Sequence, residues 1–189
     1  SMSKPAELYA CLYAREFPAQ ALLRLRPELR NKPCAVLDGE PPSQQVCSLN
    51  TKARLLGMRH GMTRTEVETF PTVTILPRSR NEEAAARAIL LECAGAFSPR
   101  VEDAGSGMVY LDISGLERHF KAARSHADGE ESSNGHGAEA WEHSLAQSAI
   151  HAVESIGLPV RVGIAASKLA ARIAAELPKS PTIVPAGSE

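Results

Sequence analysis

The sequence predicts an α+β fold, in which a mixed and largely antiparallel sheet is covered by helices and a small subdomain is inserted. Two long helix-forming segments, residues 81–97 and 138–156, follow and precede runs of strand length. Residues 18–77 instead contain only short elements that are bounded by Pro, Gly and polar turns. The outer parts of the chain are therefore expected to form the sheet, and the part between them a smaller lobe.

The elements before residue 80 are predicted to be short. Residues 8–14 form an apolar run of strand length, and PAQALLRLRPELR is typical of a helix with Pro18 in its first turn and an interruption at Pro27. KPCAVLDG and QQVCSLN predict two strands that DGEPPS joins as a hairpin. TKARLLGMRHGM and TRTEVETF predict short helices, and TVTILP predicts a β-branched strand ending at Pro77.

Longer elements follow. NEEAAARAILLECAGAFSP predicts a helix with Asn81 as N-cap and two glutamates in its first turn. RVEDAG and GSGMVYLDISG predict a strand hairpin, and ADGEESSNGHG predicts a flexible polar loop. AEAWEHSLAQSAIHAVESIG predicts a long helix that ends at Gly157. PVRVGIA, SKLAARIAAEL and PTIVP then predict a strand, a helix and a short strand.

The composition is that of an ordinary soluble protein, with 43% hydrophobic and 23% charged residues. No apolar run approaches the roughly 18 residues of a membrane span, and no secretory signal pattern opens the chain, where Ser1 and Met2 resemble the scar of a cleaved tag. The four cysteines are scattered without the spacing of a zinc site, so free thiols in a reducing cytoplasm are expected.

The charge is unevenly distributed although the net charge is only −1. Residues 1–80 contain 12 basic and 7 acidic residues, whereas residues 81–189 contain 9 basic and 15 acidic residues. A basic half is compatible with contact to a polyanion such as DNA. Solvated helix faces would produce the same imbalance, and both interpretations stay open.

Four segments resemble the palm and fingers of Y-family (translesion) DNA polymerases in order and in spacing. They are RPELRNKPCAV, SLNTKARLLGMRHGM, GSGMVYLDIS and VGIAASKLAARIAA. The resemblance implies a palm made of residues 1–17 and 78–189 and a fingers subdomain made of residues 18–77. The thumb and the little finger of the family would be absent from this chain, which is then an excised fragment or a natural short form.

The carboxylates that hold two divalent metal ions in such polymerases have no counterpart here. The resemblance places Tyr13 at the acid position that ends the first strand, and Gly107 and Met108 at the Asp-Glu pair of the central hairpin. No metal site, no Mg²⁺ cofactor and no polymerase activity are therefore expected. The nearest acids that could act as replacement ligands are Glu16, Glu102, Asp103 and Asp112, and none of them occupies a matching position.

Three residues match the triphosphate contacts of the family. Arg54 corresponds to the fingers arginine, Lys168 to the lysine that begins the last palm helix, and Thr51 takes the place of a tyrosine. A guanidinium grips phosphate with two parallel hydrogen bonds, and lysine supplies a point charge. Alternatively, Arg54 and Lys168 persist only as packing or surface residues.

Loss of the acids on a polymerase frame resembles ImuB-type proteins of bacterial mutagenesis cassettes. This resemblance implies a non-catalytic adaptor in DNA damage tolerance, which links an error-prone polymerase and an ImuA-type, RecA-like protein to the sliding clamp. It also implies a cytoplasmic, nucleoid-associated protein with weak non-specific DNA binding and no membrane partner. Two alternatives stay open: an active translesion polymerase with relocated metal ligands, and a module that senses nucleotides without turnover.

Overall fold

The computed structural model describes residues 3–121 and 138–187, and the loop predicted at residues 127–137 lies outside them. The chain divides into two compact units. The first consists of Ser1–Tyr13, Leu90–Ser155 and Val160–Glu189, and the second consists of Ala14–Ile89 and Ile156–Pro159. Strands and helices alternate with mixed sheet topology, which confirms the predicted α+β class.

The first unit contains a five-stranded mixed sheet. Its strands are β1 (Tyr9–Tyr13), β5 (Val101–Gly105), β6 (Met108–Asp112), β7 (Arg161–Ala165) and β8 (Thr182–Ile183), in the spatial order β5-β6-β1-β7-β8. The pair β7–β8 is parallel and the other neighbouring pairs are antiparallel, as the predicted hairpin of β5 and β6 requires.

Alternation along these strands creates two different faces. Ala10, Leu12, Val109, Leu111 and Ile164 share one face and are at most 1% exposed, so this face belongs to the core. The opposite face carries Tyr9, Cys11 and Tyr13 of β1 together with Met108 and Tyr110 of β6. That second face packs against α6 (Lys168–Glu176), whose N-cap is Ser167.

Helix α6 packs so closely on the sheet that no side chain separates its backbone from β7 at Gly163. A Cβ atom at Gly163 would lie 2.3 Å from the carbonyl oxygen of Ala171 and 2.4 Å from the nitrogen of Ala175. The face of α6 toward the sheet consists of alanines, whereas Leu169, Ile173 and Leu177 are 65%, 54% and 45% exposed. The small side chains therefore point inward and the large apolar ones outward.

The second unit is built on a three-stranded sheet in the order β3-β2-β4, with β2 (Cys34–Asp38), β3 (Gln45–Leu49) and β4 (Thr74–Pro77). The predicted β2–β3 hairpin is antiparallel, and β4 pairs with β2 in parallel. Leu37, Leu49 and Met58 contribute to its apolar core. The side chain of Arg78 binds both carboxylate oxygens of buried Glu83 and one oxygen of Asp38, which ties the end of β4 to its neighbours.

The remaining helices are α1 (Phe17–Leu23), α2 (Thr51–Leu55), α3 (Arg64–Val67), α4 (Arg80–Gly95) and α5 (Ala138–Ser155). Asn81 does not cap α4, because the helix already includes Arg80 and Ser79 Oγ accepts the hydrogen bond from the Glu82 nitrogen at 3.1 Å. All four cysteines are free thiols, and none of the helices described is long and apolar enough to cross a membrane.

Replacing Gly163 by Ala is expected to destabilise the protein by about 3 kcal/mol, because the new methyl group overlaps backbone atoms of α6 that cannot rotate away. Urea unfolding followed by far-UV circular dichroism measures this loss. Gly95→Ala is the matched control, since its Cβ meets no atom within 4 Å and the position ends a helix. Equal stability of Gly163→Ala and the wild type would show that α6 can move away from the sheet.

Candidate active site

The positions that the family resemblance assigns to the metal-binding carboxylates meet at one end of the five-stranded sheet. Tyr13, the last residue of β1, lies directly opposite Met108, the first residue of β6. Gly107 precedes Met108 in the hairpin turn with a φ of 78°. The predicted adjacency of these strand ends is confirmed. Both side chains pack against an apolar cluster that includes Cys11 and Ala175.

This end of the sheet does not fit Mg²⁺. Mg²⁺ takes oxygen ligands and is commonly bound through one or two carboxylates, whereas Tyr13 and Met108 offer a phenol and a thioether. Burial raises the pKa of the Cys11 thiol to about 12, so this group is neutral as well. Across residues 3–121 and 138–187, no three His, Cys, Asp or Glu side chains are grouped so that they could hold a metal ion.

Carboxylates gather instead at the other end of the same sheet face. A cleft of about 380 Å³ is lined by Tyr9, Pro99, Arg100, Val101, Glu102, Tyr110, Asp112 and Lys168. Tyr9 and Tyr13 are separated by the length of β1, about 13 Å at 3.3 Å per residue. The cleft is therefore distinct from the Tyr13–Met108 end.

The strand register explains which acids reach this cleft. Glu102 lies opposite Tyr110, and Asp112 is two residues farther along β6 on the same face. Such diagonal neighbours are about 7–8 Å apart, within reach of one ligand. Asp103 lies opposite Val109 and belongs to the other face of the sheet. Of the predicted replacement ligands, only Glu102 and Asp112 are thus brought together.

Lys168 adds a fixed positive charge to the cleft. Its Nζ atom lies 2.5 Å from Glu102 Oε2 and 5.9 Å from the centre of the Tyr9 ring. The hydrogen bond from Lys168 to the Glu102 carboxylate raises the pKa of Lys168, which stays protonated at neutral pH. Lys168 lies far from Tyr13 and Met108, so the structure does not bring these predicted site residues together.

Asp112 is ionised at the rim of the cleft. Its Oδ1 atom accepts a hydrogen bond from the Ser114 nitrogen at 3.0 Å, and its Oδ2 atom lies 3.7 Å from Arg100 Nε. Partial burial acts to raise the pKa of Asp112, but the hydrogen bonds from Ser114 and the charges of Arg100 and Lys168 lower it overall. Each of the two carboxylates of the cleft therefore lies near a cation, Asp112 near Arg100 and Glu102 near Lys168.

Thr51 and Arg54 belong to α2 in the second unit. Asn50 caps this helix, since its Oδ1 atom accepts a hydrogen bond from the Ala53 nitrogen at 3.0 Å. Thr51 is exposed and Arg54 is half-buried. The Nε atom of Arg54 is buried without a hydrogen-bond partner, and among the residues described Arg54 forms no ion pair.

Glu16 takes part in a hydrogen-bond network that was not predicted from the sequence. Its Oε1 atom accepts hydrogen bonds from the Leu49 nitrogen at 3.1 Å and from Ser48 Oγ at 3.3 Å, and it lies 2.7 Å from His60 Nε2. Glu16 adopts a φ of 55°, which turns the chain sharply before α1. Because these groups occupy its oxygens, Glu16 does not act as a replacement ligand.

Comparisons with known proteins agree on the family. The model of the impB/mucB/samB family matches residues 12–176. A DNA polymerase IV of Desulfatibacillum aliphaticivorans is 30% identical over 176 residues, which are 90% of this chain and 39% of that protein. DinB from Sulfolobus solfataricus has the same fold, with a TM-score of 0.71 and 21% identity over 94% of this chain and 48% of its own. The insertion ternary complex of Dbh DNA polymerase also has a TM-score of 0.71, with 20% identity over 95% of this chain and 49% of its own. The chain thus spans less than half the length of these proteins.

These comparisons correct two expectations. The expectation of a protein that is not an enzyme is wrong, because the family match and the similarity to DNA polymerase IV point to a polymerase. The expectation that no cofactor is used is wrong as well, since the polymerase homologues use Mg²⁺ for catalysis. Both expectations were drawn from Tyr13, Gly107 and Met108 at the family's acid positions, after nearby acids such as Glu102 and Asp112 had been set aside because they occupy no matching position. Matched over residues 12–176, the chain belongs to the impB/mucB/samB family of Y-family polymerases.

Proposed function

We propose that this chain is the palm and fingers part of a translesion DNA polymerase that adds nucleotides to a primer. The cleft that gathers Glu102, Asp112 and Lys168 is the observation that carries the proposal, because it combines anionic oxygen ligands with a cation. The similarity to DNA polymerase IV supports it. In this proposal residues 1–17 and 78–189 form the palm, residues 18–77 form the fingers, and the thumb and little finger lie outside this chain.

Glu102 and Asp112 are the residues that would hold Mg²⁺. Two carboxylates in one cleft match a donor set that substrate phosphates and water complete. When bound, the metal would neutralise phosphate charge during nucleotidyl transfer. Lys168 is hydrogen-bonded to Glu102 and thereby reduces the repulsion between the two carboxylates before substrate arrives.

Arg54, Thr51 and Lys168 are proposed to bind the triphosphate. The half-buried side chain of Arg54 forms no ion pair among the residues described, and its planar guanidinium fork is suited to donate hydrogen bonds to a phosphate. The exposed hydroxyl group of Thr51 lies on the same helix and can donate to a phosphate oxygen. Lys168 contributes charge rather than directed hydrogen bonds.

A second role is assembly with other proteins of DNA damage tolerance and induced mutagenesis. Tyr13, Gly107 and Met108 support it, because they meet at one end of the sheet and supply no carboxylate. In this role the full-length protein links an error-prone polymerase and an ImuA-type, RecA-like protein to the sliding clamp at the nucleoid. The chain itself would contact DNA weakly and without sequence preference, through phosphate contacts of its basic first 80 residues.

Primer extension by the full-length protein tests the polymerase proposal. Glu102→Gln and Asp112→Asn are each expected to reduce Mg²⁺-dependent extension by on the order of 10²-fold, because each removes one charged oxygen ligand from the cleft. Extension of a labelled primer on damaged and undamaged templates is the measurement.

Asp103→Asn is the matched control, since it lies on the same strand and faces away from the cleft. Its extension rate is expected to equal that of the wild type. Unchanged extension in Glu102→Gln and Asp112→Asn would exclude the cleft as the site. No extension by the full-length protein at all would reject the polymerase proposal and leave the assembly role.

Deoxynucleoside triphosphate binding tests Arg54 and Lys168. Replacing either residue by Ala is expected to weaken binding about twofold to fivefold, as for solvent-exposed charge pairs, and added salt should weaken it further. Isothermal titration calorimetry with and without Mg²⁺ provides the affinity. Lys52→Ala is the control for Arg54, because it removes a charge from the same helix. Wild-type affinity in both variants would assign Arg54 and Lys168 to packing or surface roles.

A further inference from the structure

A groove in the first unit has no part in the proposed polymerase function. It measures about 440 Å³ and is lined by Pro5, Ala6, Glu7, Leu8, Gly115, Glu117, Trp141, Glu142, Ala166, Ile183, Val184, Pro185 and Ala186. The lining comes from the chain before β1, the chain after β6, the residue after β7, the chain around β8 and the beginning of α5. Residues 5–8 and 184–186 in this lining lie outside helices and strands.

The groove has an apolar lining that is held in place. Trp141 is 6% exposed, and the ring centre of Phe120 lies 6.2 Å from that of Trp141 at an interplanar angle of 52°. Leu8, Ile183 and Val184 are only half-buried and leave apolar surface in the groove. Such surface releases free energy when an apolar side chain covers it.

The charged lining residues are all acidic. Glu7, Glu117 and Glu142 line the groove, and none of the lining residues is Lys, Arg or His. Lys121, outside the lining, neutralises part of this charge through a 2.7 Å contact with Glu117. The remaining negative potential favours an occupant with positive charges around an apolar centre.

We propose that this groove docks a short extended peptide of a partner protein, with a large apolar side chain flanked by Lys or Arg. The apolar side chain fills the space beside Trp141 and Val184, and the basic side chains pair with Glu7 and Glu117. Charge complementarity selects such a peptide over a neutral or acidic one. This interaction goes beyond nucleotide addition and leaves the charged cleft unoccupied.

Trp141 reports occupancy directly, because it is the only tryptophan among the 189 residues. The probe is the tryptophan-free peptide acetyl-Lys-Lys-Leu-Phe-Lys-Lys-amide, and the matched peptide carries Glu in place of each Lys. The basic peptide is expected to change the Trp141 emission to saturation at low salt and to weaken as salt is added. The acidic peptide is expected to leave the emission unchanged.

Variants locate the contact. Glu7→Gln and Glu117→Gln should each weaken the basic peptide about twofold to fivefold, the effect of removing one exposed ion pair. Glu28→Gln removes an exposed acid from the second unit and should leave the affinity unchanged. Circular dichroism checks that each variant is folded.

Five outcomes would overturn the proposal. They are no emission change with the basic peptide, equal binding of the acidic peptide, and wild-type affinity in both glutamate variants. The fourth is a result in which the basic peptide binds only after residues 122–137 have been replaced by a Gly-Ser linker. That result would identify the chain's own segment as the occupant of the groove. A dimer in analytical ultracentrifugation that Glu7→Gln disrupts would identify a second copy instead, and would equally reject a partner peptide.

Discussion

The backbone contact between β7 and α6 sets the architecture of the first unit. At Gly163 no side chain separates the strand from the helix, and the alanines of α6 complete the close approach. A contact packed this densely has no space for an extra methyl group unless a helix or a strand moves. Because the helix packs this closely on the sheet, its first residue lies over the sheet, and Lys168 reaches Glu102 and Tyr9.

The two ends of one sheet face consequently differ in chemistry. At the end near Tyr13 and Met108, these two side chains and the neutral thiol of Cys11 supply no anionic oxygen. At the end near Tyr9, the N-terminus of α6 brings a lysine beside two carboxylates. A divalent ion prefers anionic oxygens, and on this sheet face Glu102 and Asp112 at the Tyr9 end provide them.

Much of the fold follows from the sequence, since alternation and turn residues define the strands locally. The hairpins of β2–β3 and β5–β6 were predicted in this way, whereas the adjacency of Tyr13 and Met108 was expected from the family resemblance. The charged cleft was not, because Lys168 and Glu102 are 66 residues apart and meet only when α6 docks. The contact between Glu16 and His60 likewise depends on a positive φ at Glu16, a conformation that no sequence pattern indicates for glutamate. The functional expectation failed because it rested on aligned positions, whereas charge can gather elsewhere on the same frame.

Helix α6 also reverses the usual relation between hydropathy and burial. Its buried positions are Ala171, Ala174 and Ala175, and its most apolar residues, Leu169 and Ile173, are in solvent. A prediction that places the most hydrophobic side of a helix toward the core would orient Leu169 and Ile173 inward, which is opposite to the observed orientation. The inner face of α6 has room for little besides Gly, Ala or Ser. On the outer face, Leu169 and Ile173 can be replaced by polar residues without loss of folding. Size rather than polarity is therefore the property under selection on the face that the sheet touches.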